Sequence, residues 1–288
     1  MSKSPTGLTL PTYSAPADRP FQILIIGAHP DDGEVKAGGS VALWAKKGHH
    51  VKIVSLTDGR CGHHEMSPDR LVERRRLEAR QSAKILGVQE EILNNPDAAL
   101  TSGIEQRKEV VRLIREWRAD LVLTHRPNDY HADHRYGSLL VQDASYLVTV
   151  PHFLPEVPPL RQLPVFAFLQ DNFQQPIPFQ PEIAVDIDSV AEKKLDSLLA
   201  MPSQFLEWLP WNFDFLEKVP EDPEGQRQFV REVFLSRDEK VAKKHRDLLI
   251  EIYGKQGESI RYAEAFQLCE YGSRPSQKEL RKLFPTGN

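Results

Sequence analysis

Gln22-Ile-Leu-Ile-Ile-Gly27 is a short, almost wholly apolar run that passes directly into Ala28-His29-Pro30-Asp31-Asp32-Gly33-Glu34. A run of this length and composition reads as a strand buried on both faces of a parallel sheet rather than as an amphipathic edge. Polar residues begin where the strand should stop. In open α/β sheets the ligand crevice lies beyond the carboxyl ends of the strands, so the position of His29, Asp31 and Asp32 is itself a functional argument. Residue type alone leaves two readings open. His and Asp are ordinary zinc ligands, and a further carboxylate beside a metal can take a proton from water; alternatively, His29 and Asp32 only cap the helix that follows.

Working outward, Gly38-Gly39 permits close packing, Ser40 to Lys47 reads as a short helix closed by Gly48, and Val51 to Leu56 reads as a second strand. This βαβ unit has Gly27-Ala-His-Pro where a dinucleotide fold would carry G-x-G-x-x-G, which counts against a nicotinamide, flavin or nucleotide protein. The loop Thr57 to Met66 then falls on the same rim as His29, making Arg60, His63 and His64 candidates for a substrate wall. Ser67-Pro68 opens a helix running to Leu86, with Val72, Ala79, Ala83 and Leu86 as its core stripe. On a flanking face, Arg75 and Glu78 have the spacing of an intrahelical ion pair.

Ser102-Gly-Ile-Glu105 reads as a capping box before a helix whose Val110, Leu113, Ile114 and Trp117 face the core. Asp120 to Thr124 is the next buried strand, and it ends in His125-Arg-Pro-Asn-Asp-Tyr-His-Ala-Asp-His134. A doubly wound sheet of order 3-2-1-4-5 places the first and fourth strands side by side at the topological switch point. If this is the fourth strand, His131 and His134 arrive beside His29 and Asp32. The expected fold is therefore α/β: a Rossmann-like three-layer sandwich with a mostly parallel sheet, helices on both faces and a decorated C-terminal part.

That part, from about residue 150, breaks the βα rhythm. Pro151 to Pro181 is rich in proline and aromatic residues, with strands expected at Val165 to Phe168 and Ile183 to Val185. Ser189-Val-Ala-Glu192 reads as a second capping box before a helix to about Leu199. Gln204 to Trp211 suits buried core best, with a lid or an oligomer contact as alternatives. One long polar helix is expected over 226–252 and a strand within Ile260 to Cys269.

The whole chain of 288 residues is expected to form one domain over 21–288 behind a loose, Pro-containing arm over 1–20. Charged residues at 27%, hydrophobic residues at 40% and a net charge of −4 give no footprint for nucleic acid. Cys61 and Cys269 are far apart, without CxxC spacing, and suggest neither a disulfide framework nor a thiolate zinc site. No signal-like or membrane-spanning apolar run occurs, which points to a cytoplasmic protein without a membrane partner.

The combination Ala28-His-Pro-Asp-Asp-Gly-Glu34 and His131-Ala-Asp-His134, with Arg75-Arg-Leu-Glu-Ala79 and the Thr-Asp-Gly loop between them, resembles the PIG-L/LmbE-like family of metal-dependent N-deacetylases. A weaker echo is Tyr262-Ala-Glu-Ala-Phe266. The resemblance spans about 21–137, and the rest of the chain, where substrate choice is expected to lie, is not diagnostic.

The resemblance implies that His29, Asp32 and His134 bind one zinc ion, that Asp31 is the general base and that His131, in protonated form, helps hold the oxyanion. It implies that Arg75 contacts substrate or buttresses the loop, despite the ion-pair spacing. Arg60, His64 and Tyr130 are further candidates for substrate contact, and Asp133 for orienting one of its neighbouring histidines. Ala132 departs from the proline many members carry. The cofactor implied is Zn2+, with Fe2+ suiting the same ligands. The implied substrate is an N-acetylated amino sugar of the N-acetylglucosaminyl type or its conjugate, and a homo-oligomer is expected. The alternatives are an idle metal- or sugar-binding module and a hydrolase of another amide.

Overall fold

A computed structural model of the chain describes residues 15, 16 and 19–287. Most of the expected N-terminal arm therefore lies outside the described residues. The elements in chain order are β1 (Gln22–Gly27), α1 (Asp32–Lys46), β2 (His50–Thr57), α2 (Pro68–Leu86), β3 (Gln89–Asn95), α3 (Ile104–Trp117), β4 (Leu121–Thr124) and α4 (Ala132–Leu147). They continue with β5 (Val165–Leu169), β6 (Ile183–Asp186), α5 (Ala191–Leu199), α6 (Leu209–Asn212), α7 (Pro223–Val230), α8 (Ser236–Lys244), α9 (Arg246–Tyr253), β7 (Ala263–Leu268) and α10 (Gln277–Leu283).

The seven strands form one sheet of order β3-β2-β1-β4-β5-β7-β6. Strands β1 to β5 are parallel, and β7 runs antiparallel to both β5 and β6. Alternate residues of β1 enter opposite cores, as a strand's twofold periodicity requires. Ile23 and Ile25 pack with Val41 and Trp44 of α1 and Leu195 and Leu198 of α5, whereas Leu24 and Ile26 pack with Val110 and Ile114 of α3 and Leu140 and Val141 of α4. Helices thus cover both faces, and the switch point lies between β1 and β4, where Ile26 pairs with Thr124. The α/β fold class expected from the sequence is the one observed.

Several local expectations are corrected. Helix α1 begins at Asp32 rather than Ser40, so the two glycines lie inside it. Glycine inside a helix costs about 1 kcal/mol relative to alanine, but here it permits contact: a Cβ on Gly39 would lie 2.6 Å from Ile187 Cγ2. The Gly39 and Ser40 amides also donate to Glu264 at 2.8 and 2.7 Å.

Neither expected capping box forms; α3 starts after Gly103, and a 3₁₀ turn over Asp188–Val190 precedes α5. A capping box does form at Ser276 and Glu279, before α10. The long helix expected over 226–252 is broken into α7, a π-helical turn at Arg231–Leu235, α8 and α9. Strand β3, not recognised in the sequence, is the half-exposed edge of the sheet; its Gln-Glu-Glu start conceals it. Among the described residues, no helix is long and apolar enough to cross a membrane.

Candidate active site

The carboxyl ends of β1 and β4 open into a cavity of about 710 Å3 lined by His29, Asp31, Asp32, Arg75, Asp97, Asp129, Tyr130, His131 and His134, among others. The cavity results from register. Pairing of β1 with β4 brings two segments a hundred residues apart to one rim, and α1 and α4 leave that rim on opposite faces of the sheet.

Asp32, in the first turn of α1, does not cap the helix. Its Oδ2 accepts from the Ala28 and His29 amides at 2.9 and 2.8 Å and faces His125 Nε2 at 3.0 Å. The strand end is thereby folded back onto its own helix, and the helix-cap reading of His29 and Asp32 is set aside. Burial opposes ionisation of Asp32, yet the neighbouring His134 and His125 hold its carboxyl well below the usual range.

The inner atoms of three side chains converge. His29 Nδ1 lies 3.2 Å from His134 Nε2, His134 Nε2 lies 3.5 Å from Asp32 Oδ1, and His29 Nδ1 lies 3.7 Å from Asp32 Oδ2. Ligands about 2.0–2.1 Å from a tetrahedral ion are separated by about 3.4 Å, so these donors fit a zinc-sized cation. The outer nitrogens face carboxylates: His29 Nε2 is 3.2 Å from Asp97 and 3.4 Å from Asp133, and His134 Nδ1 is 3.1 Å from Asp129. Carboxylates behind imidazoles are the usual means of fixing the tautomer and turning the inner lone pair toward a metal.

The charge balance agrees with this fit. Burial opposes a charged His29, but Asp133, Asp97 and Asp32 outweigh it and raise its pKa to about 10. Burial likewise opposes a charged Asp97, while His29 holds that carboxyl down at about 2. The cluster draws positive charge.

Asp31 stands beside the cluster with its side chain 16% exposed, and Arg75 Nη2 donates to its Oδ2 at 3.0 Å. Burial pushes the Asp31 carboxyl up to about 6 against the attraction of Arg75. Arg75 also donates to the Pro30 carbonyl at 2.7 Å and the Gly59 carbonyl at 3.2 Å. The ion pair expected from its spacing with Glu78 is absent; Glu78 instead pairs with Arg74 at 2.9 Å and accepts from the Ser203 amide at 3.1 Å. Gly59 is required beside this guanidinium: its φ is +70° and a Cβ there would lie 2.4 Å from Arg75 Nη1.

Two expectations about individual residues change. Asp133 turns its carboxylate away from its sequence neighbours, toward His29, and accepts from the Ala98 and Leu100 amides at 2.7 and 3.2 Å. His131 Nδ1 accepts from the Asp133 amide at 3.2 Å, which leaves its proton on Nε2. Burial together with His29 and His134 lowers the His131 pKa, which favours the neutral ring over the protonated form that the resemblance implies.

Arg60 and His64 do not line the cavity. Arg60 turns back onto Asp58 at 2.7 Å, and His64 stacks between His63 and Trp211 with ring centroids 4.7 and 4.8 Å away. Tyr130 does line it and is largely exposed. In the aromatic segment, Phe205 is buried against Phe234, Trp208 faces the cavity and Trp211 is half exposed.

Reading the sequence missed His125, Asp97 and Asp129. His125 is buried, stacks on His134 with ring centroids 4.0 Å apart and braces Asp32. Its position directly after β4 was the available signal. His125→Phe keeps the stack but removes the Nε2 contact to Asp32, and is expected to weaken metal affinity by about 10–100-fold. Competition titration against a chelating dye measures this, and unchanged affinity would exclude the bracing role.

An α/β sheet with a His/Asp cluster at its switch point defines a class of Rossmann-like proteins with a metal-ready site on the carboxyl rim. The PIG-L profile, described as GlcNAc-PI de-N-acetylase, matches residues 24–145. The diacetylchitobiose deacetylase of Thermococcus kodakarensis is 33% identical over 202 residues, covering 66% of this chain and 73% of that protein. The 4-oxalmesaconate hydratase of Pseudomonas putida is 28% identical over 193 residues, covering 64% of this chain and 74% of that protein. The solved structure of N,N'-diacetylchitobiose deacetylase from Pyrococcus horikoshii superposes with a TM-score of 0.66 at 25% identity, covering 86% of this chain and 84% of that one. This chain belongs to the PIG-L/LmbE-like deacetylase family.

Proposed function

We propose that the protein is a metal-dependent hydrolase that removes the acetyl group from an N-acetylated amino sugar of the N-acetylglucosaminyl type or its conjugate. The observation that carries this reading is the convergence of His29 Nδ1, His134 Nε2 and Asp32 beside the Asp31 carboxylate in one cavity. These three residues would hold Zn2+, or Fe2+, which the same donors accept. When bound, such an ion polarises the acetyl carbonyl and makes water acidic enough to attack at neutral pH.

The chain's own residues would do the rest. Asp31 accepts the proton of the attacking water and passes it to the departing amine, restoring its charge for the next turnover. Arg75 holds Oδ2 of Asp31, which leaves Oδ1 for the proton. The Nε2–H of neutral His131 donates to the oxyanion of the tetrahedral intermediate. Asp97, Asp129 and Asp133 keep the histidine rings in their orientations from behind.

The test is acetate release from a panel of N-acetylglucosamine derivatives, diacetylchitobiose among them. Protein as isolated, chelated, and resupplied with zinc or ferrous iron is compared. Chelation is expected to abolish release and metal to restore it. A relative named as a hydratase shares the fold, so 4-oxalmesaconate belongs in the panel. Its hydration by metal-loaded protein, with no acetate from any amide, would overturn the deacetylase reading, and a loaded protein that turns over nothing would point to an idle binding module.

A further inference from the structure

Most charges around the cavity are matched. Arg75 holds Asp31, Arg126 grips Asp171 with bonds of 2.7 and 2.6 Å, and Lys194 serves both Asp238 at 2.7 Å and Glu264 at 2.8 Å. The remaining acids, Asp32, Asp97, Asp129 and Asp133, belong to the histidine cluster. Four further cations line the cavity: Lys36 of α1, and Arg237, Lys240 and Lys244 of α8.

Among the described residues none of these four forms an ion pair. Lys36 Nζ donates to the Gln170 carbonyl at 2.8 Å, and the Arg237 guanidinium lies over Phe234, 5.3 Å from the ring centre. Positions 237, 240 and 244 are three and four residues apart and share one helix face. The acids of α8 are committed elsewhere, Asp238 to Lys194 and Glu239 to Arg261 at 2.8 Å. A solvated helix surface would intersperse both signs; this face carries one sign and borders a cavity. Burial also lowers the pKa of Lys36, against the attraction of Asp32, Asp129 and Asp171.

We propose that Lys36, Arg237, Lys240 and Lys244 bind an anionic group, a phosphate or a carboxylate, on the part of the substrate outside the acetamide. This rests on the deacetylase reading and narrows its substrate class: an N-acetylated amino sugar carrying an acidic substituent, rather than a neutral disaccharide. Compact ammonium groups and a forked guanidinium suit either anion, and their partial exposure makes the interaction sensitive to salt.

The experiment measures binding by calorimetry to zinc-loaded protein, with sugars that have no acetamide: glucose, glucose 6-phosphate and glucuronate. At least one anionic sugar is expected to bind about tenfold or more tighter than glucose, the gain shrinking as salt rises from about 50 to about 500 mM. Comparing phosphate with carboxylate identifies the preferred anion. Arg237→Gln/Lys240→Gln, both at exposed positions, is expected to erase that preference, and Lys36→Gln to do so separately.

In the kinetic arm, the double variant raises KM for the anionic substrate about tenfold while kcat changes little. Equal affinity for glucose and both anions would overturn the proposal. So would tight anion binding that the variants leave unchanged, since the histidine cluster would then be its seat. If the binding pattern holds but no amide yields acetate, the deacetylase reading fails and the anion site stands.

Discussion

Asp31→Asn is expected to lower kcat for acetate release by about 10²–10⁴-fold while the protein stays folded and its metal content is unchanged. The amide keeps the shape of the side chain and a contact to Arg75, but it cannot accept a proton from water. Asp31 is separated in role from its neighbour by what touches each. Asp32 Oδ2 is committed to the Ala28 and His29 amides and to His125, with Oδ1 turned to His134, whereas Asp31 is held only through Oδ2. Acetate assay and metal analysis on the same preparation check both halves. Near-normal turnover would remove Asp31 as the base, and loss of metal would make it a ligand.

Arg75→Met should cost about 3–5 kcal/mol of stability, the usual penalty for removing one partner of a buried ion pair. The guanidinium is 2% exposed and ties the turn at Pro30 and Asp31, through the Pro30 carbonyl and the Asp31 carboxylate, to the loop after β2, through the Gly59 carbonyl. Methionine fills much of the volume but leaves the Asp31 carboxylate without its counter-charge and two carbonyls without a donor. Activity should fall with stability, because the Asp31 carboxylate is no longer fixed. Arg75→Lys should recover only part of the loss, since an ammonium cannot span three acceptors with a fork's geometry. Denaturant unfolding gives the stability. A loss below about 1 kcal/mol would mean that water satisfies these groups and that Arg75 is not a brace.

The places where reading the sequence fell short have physical causes. Gly38-Gly39 signals a helix boundary by propensity, but the helix continues through it, and Lys194 and Ile187, far along the chain, fill the space its missing side chains leave. Ser102 and Ser189 have capping-box spacing without its geometry, since neighbouring residues take the cap position. Arg75 and Glu78 have ion-pair spacing, yet Arg75 turns to Asp31 outside the helix, and Glu78 pairs with Arg74 within it and accepts from the Ser203 amide outside it. In each case a local preference of about 1 kcal/mol or less yields to tertiary contacts worth more.

The sequence by itself determined the parallel α/β core, the switch point between the first and fourth strands and the two His/Asp segments that meet there. These follow from short-range patterns: apolar runs of strand length, and polar residues starting where the runs end. Only the tertiary structure decided that His125, Asp97 and Asp129 stand around the cluster, that Asp133 faces His29, and that Arg60 and His64 stand aside. It also decided that the cavity lining collects, from two helices two hundred residues apart, four cations that form no ion pair among the described residues. Side-chain partners of this kind are fixed by which strands pair and in what register, and no window along the chain contains that information.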